Sequence, residues 1–130
     1  MARNRTDSRS LGSDAEQLAS HYVVREGAVI VDRNYRCRLG EIDIIASDKG
    51  CLAFIEVRYR GQGSYARASL TVDRSKQKKL IRTAAMYCAS HARHANRTTR
   101  FDVVAIDTGL NGDCRIEWIK DAFRPVDSAL

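Results

Sequence analysis

The chain has 130 residues, with 22 Lys and Arg against 16 Asp and Glu, a net charge of +6 and 44% hydrophobic content. That length fits one domain with a single core, and a lone proline, Pro125, excludes a Pro-rich linker. A basic balance leans toward nucleic acid or another anionic surface, or serves solubility alone.

Residues 1–10 (MARNRTDSRS) are polar and basic, and read as a disordered tail with no apolar secretory segment. Residues 11–130 then read as one domain. Ala15, Leu18, Ala19, Tyr22 and Val23 form an apolar stripe at helical spacing. Ser13 fits the N-cap, with Glu16 three residues on as a capping box, and Gly27 the close of the helix. Three strands follow, Ala28 to Tyr35, Gly40 to Ala46 and Cys51 to Tyr59, the last two joined by Ser47-Asp48-Lys49-Gly50. A flexible loop runs from Gly61 to about Val72 and carries Tyr65 and Arg67. A long helix spans Asp73 to about Ala95, with Ile81, Ala84, Ala85, Cys88 and Ala92 on its apolar stripe. Arg100 to Asp107 and Arg115 to Ile119 are the last strands, around the turn Asn111-Gly112-Asp113. The predicted order is αβββαββ, an α/β fold.

The four cysteines, Cys37, Cys51, Cys88 and Cys114, form no C-x-x-C pair. They fit structural thiols of a reducing compartment better than a zinc site, so the expected location is cytoplasmic. No apolar run approaches the roughly 20 residues needed to span a bilayer. His21, His91 and His94 show no metal-ligand spacing and read as surface or helix residues.

Carboxylates carry the chemical signal. Side chains alternate along a strand, so Leu52, Phe54, Glu56 and Arg58 share one face, as do Glu41, Asp43 and Ile45. A hairpin closed symmetrically across Asp48-Lys49 sets Asp43 opposite Phe54 and Glu41 opposite Glu56. Three acids then converge on a largely apolar face and need a cation. A divalent metal that activates a water is one candidate; pairing with Arg58 or Arg60 is the other. Asp102 reads as a buried partner for arginine or backbone groups. On the long helix, Arg74, Lys78 and Arg82 are spaced i, i+4, i+8, and Lys76 and Lys79 widen this basic face. Arg93, Arg97 and Arg100 extend it. It reads as a phosphate-backbone surface without base specificity, or as a solvated helix face.

Gly40-Glu41-Ile42-Asp43-Ile44-Ile45-Ala46 followed by Phe54-Ile55-Glu56-Val57-Arg58-Tyr59-Arg60 resembles the YraN-like family of uncharacterised bacterial proteins. Gly12, Glu16, Ala19, Gly27, Arg33-Asn34, Lys76, Ala84, Tyr87 and Arg100-Phe101-Asp102-Val103-Val104 extend the match from about Gly12 to Asp107. That family falls in the restriction-endonuclease-like, PD-(D/E)XK nuclease superfamily, related to Holliday-junction resolvases. The resemblance implies a mixed sheet flanked by helices and a Mg²⁺- or Mn²⁺-dependent endonuclease site acting on nucleic acid, DNA first. It implies Glu16, Asp43, Glu56 and the Val57 carbonyl as the metal shell. Arg58 stands where the family pattern has the catalytic lysine; Arg58 or Lys76 would contact the scissile phosphate, with Lys76 reaching in from the helix. Resolvase-like relatives are often dimers, which leaves a homodimer open. The alternatives are a non-catalytic nucleic-acid-binding accessory protein on the same fold, and a protein-binding module in which the acids and arginines form an ion network.

Overall fold

In a computed structural model the chain is described over residues 8–60, 72–109 and 112–125. Helix α1 spans Ser8–Arg25, strands β1, β2 and β3 span Val29–Cys37, Gly40–Asp48 and Cys51–Arg60, and helix α2 spans Arg74–Ser90. A single 3₁₀ turn, Ala92–His94, leads to β4 (Thr99–Thr108) and β5 (Cys114–Phe123). The five strands form one sheet in the order β1-β2-β3-β4-β5. All neighbours are antiparallel except β3 and β4, which run parallel. Parallel neighbours need a crossover connection, and α2 lies within it.

Each face of the sheet carries one helix. Ala15, Ala19 and Val23 of α1 pack with Ile44, Ala46, Ala53, Ile55, Val104 and Ile106. Leu80, Ala84 and Tyr87 of α2 pack with Ile42, Ile45, Leu52, Phe54, Phe101 and Val103 on the other face. The central strands β3 and β4 thus read as continuous apolar runs because both faces are covered. Each fully buried Ile or Leu contributes about 1.5–3 kcal/mol, so these strands anchor everything attached to them. On the α2 side the filling is aromatic. Tyr87 meets Tyr35 edge-on at 4.9 Å, and Phe101 stacks between Phe54 and Phe123.

Several boundaries differ from the expectation. Helix α1 begins at Ser8, so Ser13 lies inside it and is not its cap; the rest of the expected tail lies outside the described residues. Leu18 is 44% exposed, because the helix turns Ala15, Ala19 and Val23, with Tyr22 beside them, toward the sheet. Gly27 (φ 108) does close the helix, with the Ala28 N–H donating to the Val23 carbonyl. Helix α2 is capped by Asp73, whose side chain accepts from the Lys76 N–H at 2.8 Å. It ends at Ser90, and its buried stripe is Leu80, Thr83, Ala84 and Tyr87, displaced by one residue from the expected one, leaving Ala85 and Ala92 exposed. Of the two readings given for the histidines, His94 takes the helical one, buried in the 3₁₀ turn. Strand β5 runs on to Phe123 through an irregularity at Asp121 (φ 57). Tyr65, Arg67 and Asn111 lie outside the described residues.

At one end of the sheet, Arg100 does not extend a basic surface. Its guanidinium holds both Asp102 oxygens and reaches Asp48 at 2.8 Å. Trp118 Nε1 and the Asp121 N–H also donate to Asp102, and Lys120 donates to Asp48. Burial pushes the Asp48 carboxyl up, but Arg100 and Lys120 outweigh it and hold the group below its ordinary value. Asp102 is thus the buried structural partner that the sequence suggested.

At the other end the β1–β2 hairpin lies close against α2. A Cβ on Gly40 (φ 153) would stand 2.8 Å from Thr83 Oγ1, whose hydroxyl donates to the Lys79 carbonyl. Gly40→Ala is therefore expected to cost about 1–3 kcal/mol in chemical denaturation. Adding Thr83→Ala should return part of that loss, since the clash is with its hydroxyl. Strict additivity of the two substitutions would contradict this packing.

Candidate acidic site where two strands part

The β2–β3 turn has two residues, Lys49 (φ 51) and Gly50 (φ 84), which suits a type I′ hairpin. Asp48 pairs with Cys51, Ile45 with Phe54 and Ile44 with Ile55. The expected closure across Asp48-Lys49 is therefore off by two residues. The parity survives, because a two-residue shift preserves which side chains share a face. Extended by one residue, this register carries Asp43 to Glu56 rather than to Phe54.

The ladder stops at Ile44 and Ile55. Beyond it, the Asp43 carboxylate accepts the Val57 N–H at 2.8 Å. Alternation also breaks here, against the expectation that Glu41, Asp43 and Ile45 share a face. Ile42 and Ile45, of opposite parity, both pack toward α2, whereas Ile44 packs toward α1. On the neighbouring strand Asn34 takes φ 52 between the pairs Arg33–Ile44 and Tyr35–Ile42. Asn34 and Asp43 thus mark one irregularity crossing both strands. Asn tolerates the left-handed region better than most residues, and this was the available sequence signal.

Glu16 projects from α1 and is hydrogen-bonded to Asp43. With Ser13 inside the helix, the capping-box reading of Glu16 falls away. Glu56 is 8% exposed and lies on the α2 face of β3. Lys76 Nζ reaches it at 3.5 Å from the first turn of α2, and Arg58 Nη1 at 3.8 Å along its own strand. Glu41 turns instead to Arg36 Nε at 3.1 Å. Arg74, Lys78, Lys79 and Arg82 are all exposed on α2, on either side of Lys76 in sequence.

Electrostatics follow from this crowding. Burial, then the neighbouring Asp43 charge, raises both Glu16 and Glu56 to about 7; for Glu16 the hydrogen bond to Asp43 adds to the rise. Lys76 and Arg58 oppose the rise at Glu56 without cancelling it. Burial also raises Asp43, against the opposing Val57 N–H and the Glu16 hydrogen bond. The cluster is thus short of positive charge.

A hard cation suits these donors, since Mg²⁺ takes one or two carboxylates and keeps several waters. Among the described residues no three His, Cys, Asp or Glu side chains close around a common point. The fit is therefore to a carboxylate pair containing Asp43, with Glu56 as the buried partner and Glu16 shared through its hydrogen bond.

The pH dependence follows in sign. Folded Glu56 holds its proton above the ordinary value of 4.5. Its stabilising contribution is complete below about pH 4.5 and is lost as pH rises through about 7. Without divalent metal, Glu56→Gln should raise stability at pH 8 by about 1–2 kcal/mol and flatten the fall in melting temperature between pH 5 and 8. An unchanged slope would mean that Glu56 is not held protonated.

No helix among the described residues is long and apolar enough to cross a membrane. The family model for uncharacterised protein family UPF0102 matches residues 15–106, which hold Glu16, Asp43, Glu56, Arg58 and Lys76. A UPF0102 protein of Nitrosococcus oceani is 46% identical over 116 residues, covering 89% of this chain and 93% of its own. One from Alcanivorax borkumensis is 40% identical over 115 residues, covering 88% and 92%. One from Clostridium botulinum is 40% identical over 117 residues, covering 89% and 95%. The YraN-like resemblance is borne out at the level of the family: the chain belongs to the UPF0102 family.

Proposed function

We propose that the protein is a metal-dependent phosphodiesterase of the restriction-endonuclease-like type, acting on nucleic acid, with DNA the first candidate. The observation that carries this reading is the Asp43 carboxylate. It is fixed by the Val57 N–H where β2 and β3 part, beside two further carboxyls raised to about 7. Perturbed carboxyls gathered in one place are a feature of functional sites. Asp43 and Glu56 would hold Mg²⁺ or Mn²⁺, with Glu16 set beside them by its hydrogen bond to Asp43. In an extended strand the N–H and C=O of one residue point to the same edge, so the Val57 carbonyl faces Asp43 and suits the same shell. A bound ion would supply an activated water and neutralise charge on a phosphoryl oxygen.

The remaining work falls to the cations. Lys76 approaches Glu56 from α2, which supports it in the lysine role that Arg58 occupies on the strand. Its ammonium would stabilise charge developing on the phosphate. Arg58 stays protonated and cannot act as a base, but its fork can hold a phosphate. Arg74, Lys78, Lys79 and Arg82 extend this positive surface along α2, suited to phosphates of any sequence.

A second reading keeps the surface and drops the cleavage. It is favoured by Glu56 already lying near both Lys76 and Arg58, and by Glu16 spending its proton on Asp43. Cleavage of branched, single-stranded and duplex DNA with Mg²⁺ or Mn²⁺ separates the two. The first reading expects activity abolished by EDTA, and lowered on the order of 10²–10³-fold by Lys76→Ala. It also expects Asp43→Ala and Glu56→Ala to be inactive. Activity that survives both acid substitutions would overturn it. Binding retained in EDTA, with no substrate cut even by Arg58→Lys, would establish the accessory protein.

A further inference from the structure

Beside the acidic site the β1–β2 hairpin and the first two turns of α2 line an open cavity of about 340 Å³. We infer that this cavity is a second phosphate seat, receiving a phosphate of the same nucleic-acid strand that the acidic cluster engages. The inference rests on the proposed function for the identity of the strand, but not for the chemistry of the seat.

Among the described residues Arg36, Lys76 and Lys79 supply cations to the wall, and Glu41 supplies a carboxylate. That carboxylate is engaged: Glu41 Oε1 holds Arg36 Nε at 3.1 Å and so orients the guanidinium. A cavity with this surplus suits a phosphate, and an oriented guanidinium fork suits phosphate oxygens in particular. Lys76 and Lys79 are three residues apart on α2 and therefore rise from one helix face. Their spacing from the hairpin is set by the close approach of Gly40 to Thr83, so both walls belong to the rigid fold. Leu80 gives the cavity an apolar flank against which charges are screened less than in open water.

The position of Lys76 ties the cavity to the acids. It lines the cavity and also stands 3.5 Å from Glu56. The two places are thus one side chain apart, with carboxylates on one side and cations on the other. A nucleic acid crossing this boundary would set one phosphate at the acids and a neighbouring one in the cavity. The seated group is either an internal phosphodiester or a terminal phosphate monoester; both present the same oxygens to Arg36 and Lys79.

Inorganic phosphate, titrated into the full chain and followed by amide NMR, tests the seat directly. The expected result is saturable shifts at Cys37, Gly40, Lys79 and Leu80, absent in Arg36→Ala/Lys79→Ala. Asp43→Asn should keep them, so failure of the acidic site and failure of the seat are told apart. Oligonucleotides with and without a 5′-phosphate then identify the source. In the double variant the salt slope of binding should fall by roughly 0.7–0.9, as for one lost phosphate contact. A wild-type preference for the 5′-phosphorylated strand that vanishes in the variant assigns the seat to a terminal phosphate. Equal affinity for both strands, with the slope lost, assigns it to an internal one. Both substituted side chains are exposed, and Lys79→Glu provides a second variant should the double one be unstable. Shifts absent from the wild type, or unchanged in the variants, would overturn the inference.

Discussion

The Asp43 carboxylate occupies the place where a β2 backbone carbonyl would otherwise receive the Val57 N–H. That one hydrogen bond lets two strands part without leaving the part-buried Val57 N–H unpaired. It also fixes a carboxylate at the mouth of the opening, within reach of both helices. Glu16 arrives from α1 on one face, and Lys76, through Glu56, from α2 on the other. A sheet with strict alternation would have separated these groups. The broken alternation at Asn34 and Asp43 is what gathers them.

The two ends of the sheet solve the problem of buried charge in opposite ways. Around Asp48 and Asp102 each carboxylate has close, charge-assisted partners, and Asp48 titrates below its ordinary value. Around Glu56 the cation contacts are longer, 3.5 Å to Lys76 and 3.8 Å to Arg58, and both Glu56 and Asp43 titrate above their ordinary values. The first arrangement answers its charge with arginine and lysine from the fold itself. The second is left short of cations, and the balance must come from protons or from something bound. This contrast within one molecule is the physical argument for placing function at the Asp43 end.

Much of this was legible from residues alone. The β-rich runs around Gly50 announced a hairpin, and alternation put Glu56 with Phe54 on the face that α2 covers. Asp102 could be read as a structural acid, and α2 as a basic helix. What escaped depended on tertiary choices. Helix α2 offers two adjacent stripes, one through Ile81 and Ala85 and one through Leu80 and Ala84; only the position of the sheet selects the second. The turn could close across Asp48-Lys49 or Lys49-Gly50, and the choice needs Lys49 to accept a positive φ. Glu16 entered through family resemblance, because its meeting with Asp43 is a contact between distant segments. Arg36 and Glu41 were not seen as the wall of a cavity, since that wall exists only once the hairpin is seated on Thr83.

The central claim is that the Asp43 end of the sheet is a cation site. A crystal soaked in Mn²⁺ at pH 7.5 and measured at the manganese absorption edge addresses it most directly. The account predicts one anomalous peak about 2.1 Å from carboxylate oxygens of both Asp43 and Glu56, with Lys76 displaced from Glu56. A crystal with no peak there, and Glu56 still between Lys76 and Arg58, would contradict it.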